Sequence, residues 1–448
     1  MKILITLKDI TEGGGGERVG VNLANAFTQN LSYEVQIISF FRTHKTPIYP
    51  LDSRISCVHL CDKKAKSKNP LITLFHKSIL RIIFCYQTHK IAQQTNADIV
   101  LANDGWFIPL FGRKSQDFKP LFVRLWHLSA PKKARRKLRY FDTLIVLSSR
   151  ELPTWQGYHH NVRVIPNFLP QIPQKSTDSA QKVVLSVGRM DNGDQKGFLR
   201  LIDIWGMVQK IIQIPHPKSL PQGEGLVFES PLPCEAETNL SPLPCGGGLG
   251  VGKKTQSKVD SAFFVLDSTN GTDFAESNPP PVSPSAREGE SVDSQNLTDW
   301  RLVLVGDGPL KSEIQSKIKS LNLQDSIILK PFTKEIEREY LGASIYAMAS
   351  HFEGFPMVLV EACSYALPCI AFDIATGPSD IITHNQSGYL VGDNDLEAYA
   401  KHLIALMSDE NLRIAFGGEA KRLVGERFSQ SVVVQKWQEL LEKNRNIL

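Results

Sequence analysis

Glu353 and Glu361 stand eight positions apart around the start of a short apolar helix, and their chemistry follows from that placement. The segment 350–391, SHFEGFPMVLVEACSYALPCIAFDIATGPSDIITHNQSGYLV, reads as a loop, a helix, a strand and a second loop. Pro356 suits the first helical position, where its missing N–H would have no intrahelical acceptor anyway. The helix is expected from Met357 to about Ala366, stopped by Leu367 and Pro368, and Cys369-Ile370-Ala371-Phe372 is a short buried strand. Glu353 lies in the loop just ahead of the helix. Glu361 lies in its second turn, and helical side chains lean back toward the N-terminus. Both carboxylates therefore face the positive end of the helix, where the N–H groups of Met357 and Val358 form an anion site. Phosphate flanked by two carboxylates suits a ligand that is part phosphate and part polyhydroxyl, as a sugar nucleotide is. A second backbone anion site is offered by the run Gly13-Gly14-Gly15-Gly16, whose glycines allow close approach of N–H groups. A flexible turn explains the same run.

In their context these residues resemble a known family. EGFPM, VLVEA, LP, FD, TGPSDII and SGYLV, in that order, are similar to the E-x7-E region of GT-B glycosyltransferases, specifically the retaining family 4 and its bacterial polysaccharide and lipopolysaccharide branch. The resemblance covers all but residues 214–298. It implies that Glu353 holds donor sugar hydroxyls and orients the anomeric carbon. Glu361 then binds the ribose hydroxyls, and Gly354, Phe355, Pro356, Met357 and Val358 form the donor cradle. Gly188-Arg189 with Lys196-Gly197 resembles the family's diphosphate-binding pair. Fixed cations in a dry cleft stabilise the charge that builds as the glycosidic bond breaks, Arg by a bidentate grip and Lys as a point charge. GGGGERV resembles the family's first loop, so Gly14, Gly15 and Gly16 are placed beside donor phosphate and acceptor. His127, in VRLWHLS, falls where similar enzymes keep a histidine near the donor sugar. Gly306 and Gly308, in GDGP, lie near the nucleotide, whose base stacks around Lys330-Pro331-Phe332. The expected catalytic set is Glu353, Arg189, Lys196 and His127.

The elements that must position these residues alternate. Strands are expected at 2–7, 34–40, 54–59, 98–102, 121–125 and 143–147, with a helix at 17–29 whose Val19, Leu23, Ala26 and Phe27 share a face. Such alternation predicts a doubly wound parallel sheet, whose ligands sit beyond the strand carboxyl ends. Asp104 and Trp106 would then face the acceptor. VRVIPN, at 162–167, looks like the family's crossing between domains. A second sheet follows from strands at 182–187, 301–305, 326–329 and 345–348. Its helices are expected from Lys196, at 311–321, 334–341, 395–407 and 410–426. The expected organisation is an α/β, GT-B chain: domain 1–168 for acceptor, domain 169–429 for donor, facing each other across a cleft, and a helix at 430–448 crossing back. Asp393-Asn394-Asp395 spells D-x-D, but before a helix it reads as a cap rather than a metal site. No metal and no cofactor are expected.

Residues 214–298 break the pattern. Their 85 positions hold eleven prolines and nine glycines, and SPLPC occurs twice, at 230–234 and 241–245. Such a stretch buries too little apolar surface to offset its ordering entropy, so a disordered insertion resembling a translated dispersed DNA repeat is expected. Protease should nick it first.

Charge is divided unevenly. Residues 1–168 carry 25 Lys+Arg against 11 Asp+Glu, hence +14, which leaves −9 for the rest within a total of +5. With clusters at 63–68 and 132–137, the first half suits an anionic surface or acceptor. The apolar stripe of 70–86, with Lys77 and Arg81 opposite, either lies on a membrane surface or faces the core. No nucleic-acid motif accompanies the charge, so nucleic acid is not an expected partner. Seven cysteines without a C-x-x-C pair fit a reducing compartment rather than a disulfide framework or zinc site. Asp9 and Glu12 soon after the first apolar run argue against a signal peptide, and no run reaches membrane-spanning length. The expectation is a cytoplasmic enzyme at the inner membrane face, moving a hexose or N-acetylhexosamine from a UDP-linked donor to a lipid-linked or surface glycan. Two alternatives fit the same residues: a UDP-sugar epimerase, and a sugar-nucleotide-binding protein impaired by the insertion.

Overall fold

The structure is a computed structural model and describes residues 1–62, 70–111, 118, 120–133, 135–213 and 297–445. The insertion 214–298 lies outside the described residues except for Leu297 and Thr298, and the basic cluster 63–68 lies wholly outside them. Met1–Pro215 and Val292–Leu448 form one compact unit.

Two parallel sheets organise it. The first comprises β1 (Lys2–Leu7), β2 (Glu34–Ser39), β3 (Ser56–His59), β4 (Ile99–Ala102), β5 (Leu121–Trp126), β6 (Thr143–Val146) and β7 (Val162–Val164), in the order β3-β2-β1-β4-β5-β6-β7. The second comprises β8 (Val183–Val187), β9 (Arg301–Val305), β10 (Ile327–Lys330), β11 (Ile345–Met348), β12 (Cys369–Asp373) and β13 (Gly388–Gly392), in the order β10-β9-β8-β11-β12-β13. The central strands are near-continuous apolar runs, as strands covered on both faces must be: IVLA of β4 and TLIV of β6 are buried throughout. In each sheet the order reverses beside one strand, β1 against β4 and β8 against β11. Ligand crevices open at such points.

The helices are α1 (Gly15–Asn30), α2 (Pro70–Gln94), α3 (Leu152–Gln156), α4 (Phe198–Gln213), α5 (Lys311–Ser320), α6 (Ile336–Leu341), α7 (Met357–Ser364), α8 (Pro378–Ile381), α9 (Leu396–Ser408), α10 (Glu410–Phe428) and α11 (Gln430–Arg445). Several differ from expectation. α1 begins at Gly15 rather than Glu17, so the last two glycines of the run are its first turn, not loop. Pro356 is the residue before α7 rather than its first, with ψ at 91°, and α7 ends at Ser364. The second loop of 350–391 holds α8 and β13. The helix expected over 70–86 continues to Gln94. Asp395 caps α9, its carboxylate accepting from Ala398 N at 3.0 Å, as the D-x-D reading anticipated.

α11 returns to the first sheet's side. Trp437 is buried with its ring 5.7 Å from that of Phe27 on α1. No described helix is long and apolar enough to cross a membrane.

Candidate active site

Glu353 sits in the loop after β11, its side chain 7% exposed, and one carboxylate oxygen lies 2.7 Å from Lys196 Nζ. The loop after β8 brings the lysine there by three backbone devices. Asp194 caps α4, accepting from Phe198 N at 2.8 Å and Leu199 N at 2.9 Å. His351 N donates to Gln195 O at 2.9 Å, which ties the two loops together. Gly197 has φ +68°, and a Cβ there would lie 1.7 Å from Ala349 O. The stem of Lys196 then lies over Gly188. Gly306 and Gly308 close the floor, packed on the carbonyl oxygens of Gly188 and Met190. Thr376 donates its hydroxyl to Glu353 O and fixes the carboxylate-bearing loop from behind.

Glu361 is engaged on both oxygens. Tyr340, buried, donates its hydroxyl to Oε2 at 3.0 Å. Burial first, then the carboxylate's charge, holds the Tyr340 proton well above the usual phenol range. Arg18, from α1, brings Nη1 to 2.8 Å of Oε1 as an ion pair without an aligned hydrogen bond. This pair joins the two sheets' halves. Gly15, Arg18 and Met357 line a cavity of about 70 Å³ that reaches Pro166, Asn167 and Trp437.

His127 enters from the end of β5. Its Nε2 lies 2.9 Å from Asn103 Oδ1 and 3.1 Å from Asn103 O, both acceptors, so Nε2 carries the proton and Nδ1 remains an acceptor. Asn103 Nδ2 also donates to Gly16 O at 2.8 Å, linking the end of β4 to the first turn of α1. Burial, reinforced by the Arg124 charge, lowers the imidazole pKa to about 4. Across the cleft, a Cβ on Gly354 would lie 1.7 Å from His127 O, so only glycine lets the two loops meet.

The structure thus gathers Glu353, Lys196, Gly354, His127, Gly16 and the floor glycines, with Glu361, Gly15 and Met357 on an adjoining wall. Arg189 is not gathered: its side chain is 76% exposed and faces Asp191 at 3.4 Å. Phe355 turns into the core against Phe428, ring centroids 5.3 Å apart. Gly14 lies beneath the Glu17 carboxylate. Asp104 and Trp106 make contacts within the first half. Asp104 is partly buried and accepts from Thr6 Oγ1 at 3.0 Å, and the Trp106 ring packs against Phe41 and Phe84. Sequence reasoning missed Arg18, Asn103, Tyr340 and Thr376. Arg18 had a signal, lying inside the GGGGERV stretch, and so did Asn103, the first polar residue after a wholly apolar strand.

Residues 290–423 match the family described as Glycosyl transferases group 1. An exopolysaccharide phosphotransferase of Streptomyces coelicolor is 39% identical over 451 aligned positions, which cover 98% of this chain. The chain spans only 40% of that relative's length. The amylovoran biosynthesis glycosyltransferase AmsD of Erwinia amylovora is 26% identical over 98% of this chain and 99% of its own. Among solved structures, a TarM variant of S. aureus in complex with fondaparinux, alpha-GlcNAc-glycerol and UDP superposes with a TM-score of 0.62 at 13% identity, covering 98% of this chain and 99% of that one. At that identity the likeness concerns the fold alone. The two switch-point sheets and the likeness to solved structures give the chain a GT-B fold, and residues 290–423, which hold β9 to β13, match the group 1 glycosyl transferases.

Proposed function

We propose that this protein transfers a hexose or N-acetylhexosamine, with retention of anomeric configuration, from a UDP-linked donor to a lipid-linked or surface glycan. The observation that carries the reading is the Lys196–Glu353 pair at 2.7 Å, set on the floor of Gly188, Gly306 and Gly308, with Glu361 in the second turn of the α7 that follows. Donor diphosphate takes Lys196 as its counter-charge, and Arg189 folds inward from solvent to grip the second phosphate. Glu353, released from Lys196, accepts from donor sugar hydroxyls. Glu361 exchanges Arg18 for the ribose hydroxyls. Neutral His127 accepts a sugar hydroxyl on Nδ1. As the bond from anomeric carbon to phosphate oxygen breaks, the acceptor hydroxyl oxygen bonds to that carbon on the same face, its proton passes to the released phosphate oxygen, and the two cations stabilise the diphosphate without a metal. UDP in the TarM complex and the polysaccharide role in the name of AmsD support the donor and acceptor classes. The working location is the cytoplasmic face of a membrane, where lipid-linked acceptors are assembled.

UDP release is measured against a donor panel, with and without a glycan acceptor, for the wild type and Glu353→Ala. Release that needs acceptor, survives EDTA and falls in Glu353→Ala supports the proposal. Isomerised donor without acceptor indicates an epimerase, and a melting shift with UDP-sugar but no turnover indicates a binding protein.

A further inference from the structure

The outer face of α2 carries an apolar stripe that folding does not use. Its inner face buries Phe84, Cys85 and Ala92 against the first sheet. A helix with one core-facing stripe is polar on its other side in most globular proteins. Here Ile79, Ile82, Ile83 and Tyr86, spaced i, i+3, i+4 and i+7, face solvent at 40%, 53%, 43% and 54% exposure. The Tyr86 ring meets Phe111 at 5.8 Å, and Leu110 and Phe111 are themselves exposed. Six of the fourteen large exposed apolar side chains among the described residues therefore fall in this one patch, which scatter over the surface would not produce.

The border is basic. α2 contains no acidic residue and carries Lys77, Arg81 and Lys90. Arg81 lies over the Trp106 ring at 5.6 Å. The Lys137 ammonium feels it, pushed down by burial and then by the Arg81 charge. An apolar stripe rimmed by cations fits the boundary of an anionic bilayer: the stripe enters the acyl edge and the cations meet headgroups. The loop at 103–111 connects patch to site, because it begins at Asn103, which bonds both His127 and Gly16.

We propose that the Ile79–Tyr86 face of α2, with Phe111 and the cations Lys133, Arg136 and Lys137, docks this protein on anionic lipid and presents the His127 side of the cleft to the membrane. The inference rests on the transferase reading for the docked acceptor but not for the docking itself.

The full chain is floated with vesicles of phosphatidylcholine alone and of phosphatidylcholine with phosphatidylglycerol. Binding to the anionic vesicles only, falling steeply as salt rises from 0.1 to 0.5 M, is expected. The triple variant Ile79→Ser, Ile82→Ser, Ile83→Ser should bind them at least tenfold more weakly, and Arg136→Glu with Lys133→Glu severalfold more weakly. Both variants should keep the wild-type melting temperature and UDP-sugar melting shift, because the substituted side chains are exposed. Wild-type-like flotation of the triple variant overturns the proposal. So does gel filtration showing a wild-type dimer that the triple variant abolishes while neither floats, which would make the face a self-association surface. Intact flotation without UDP-sugar binding would sink the transferase reading and leave the docking standing.

Discussion

Glu353 and Lys196 neutralise each other while largely shielded from solvent, so truncating either leaves a charge without its partner. Glu353→Ala should lose at least ~100-fold in kcat and, through the stranded ammonium, a few kcal/mol of stability, on the order of the ~3–5 kcal/mol measured for broken buried pairs. Glu353→Gln keeps an acceptor for Lys196 and should melt near the wild type while losing comparable turnover. Equal melting losses in both variants would show a merely structural glutamate. His127 gives a second residue-scale expectation. Its folded pKa of about 4 lies below the ordinary value near 6.5, so the unfolded chain takes up the proton first as pH falls. The stability tied to the neutral ring is complete above about pH 6.5 and is lost progressively down to about pH 4, a change of roughly 3 kcal/mol. Thermal melts across that window should show a shallower acid loss in His127→Asn than in the wild type. What was legible at this scale was placement carried by local spacing: Glu353, Lys196 and the floor glycines meet in one cleft, with Glu361 on its adjoining wall. Arg18 and Tyr340 were not, because their role exists only once α1 and α6 converge on Glu361 from 343 and 21 positions away.

Among the elements, parallel sheets were readable because apolar runs alternate with 3.6-period stretches. The three-residue β7 and the one-turn α8 are too short for any period to register. The start of α1 was misplaced for a physical reason. Glycine is a poor helix former, yet in a first turn its cost is small and a close ligand approach favours it. Two glycines separate these roles. Gly354→Ala drives a Cβ against His127 O, a backbone atom that cannot swing aside. It should cost ~1–3 kcal/mol and lower kcat, because the seam between the two switch-point loops is forced open. Gly15→Ala meets nothing within 4 Å. It should leave the melting temperature unchanged or raise it by the equivalent of ~0.5–1 kcal/mol, while raising KM for the donor if phosphate approaches that turn. Unchanged KM in Gly15→Ala would remove the α1 glycines from the donor site and leave Gly354 as the only glycine of the two with a functional reason.

At the scale of the molecule, several contacts strap the halves together: Arg18 to Glu361, Arg150 to Asp373 and to Ile374 O at 3.2 Å, and Ser149 Oγ to Asp380 at 3.1 Å. The cavity beside Arg18, about 70 Å³, is well below the ~300–1,000 Å³ of ordinary ligand pockets. On the proposed reading Glu361 meets ribose only once its pair with Arg18 breaks, which lets the halves part there. A ligand shifts such an equilibrium only by its differential affinity for the open form. Removing the strap should raise the open population and relieve the donor of that opposing term. Arg18→Ala is expected to enlarge the radius of gyration of the unliganded protein in solution scattering and to tighten UDP binding severalfold, with Arg18→Lys intermediate. Weaker UDP binding with unchanged scattering would mean the opposite arrangement, in which Arg18 keeps its place in the closed complex and transfers its charge from Glu361 to the donor phosphate.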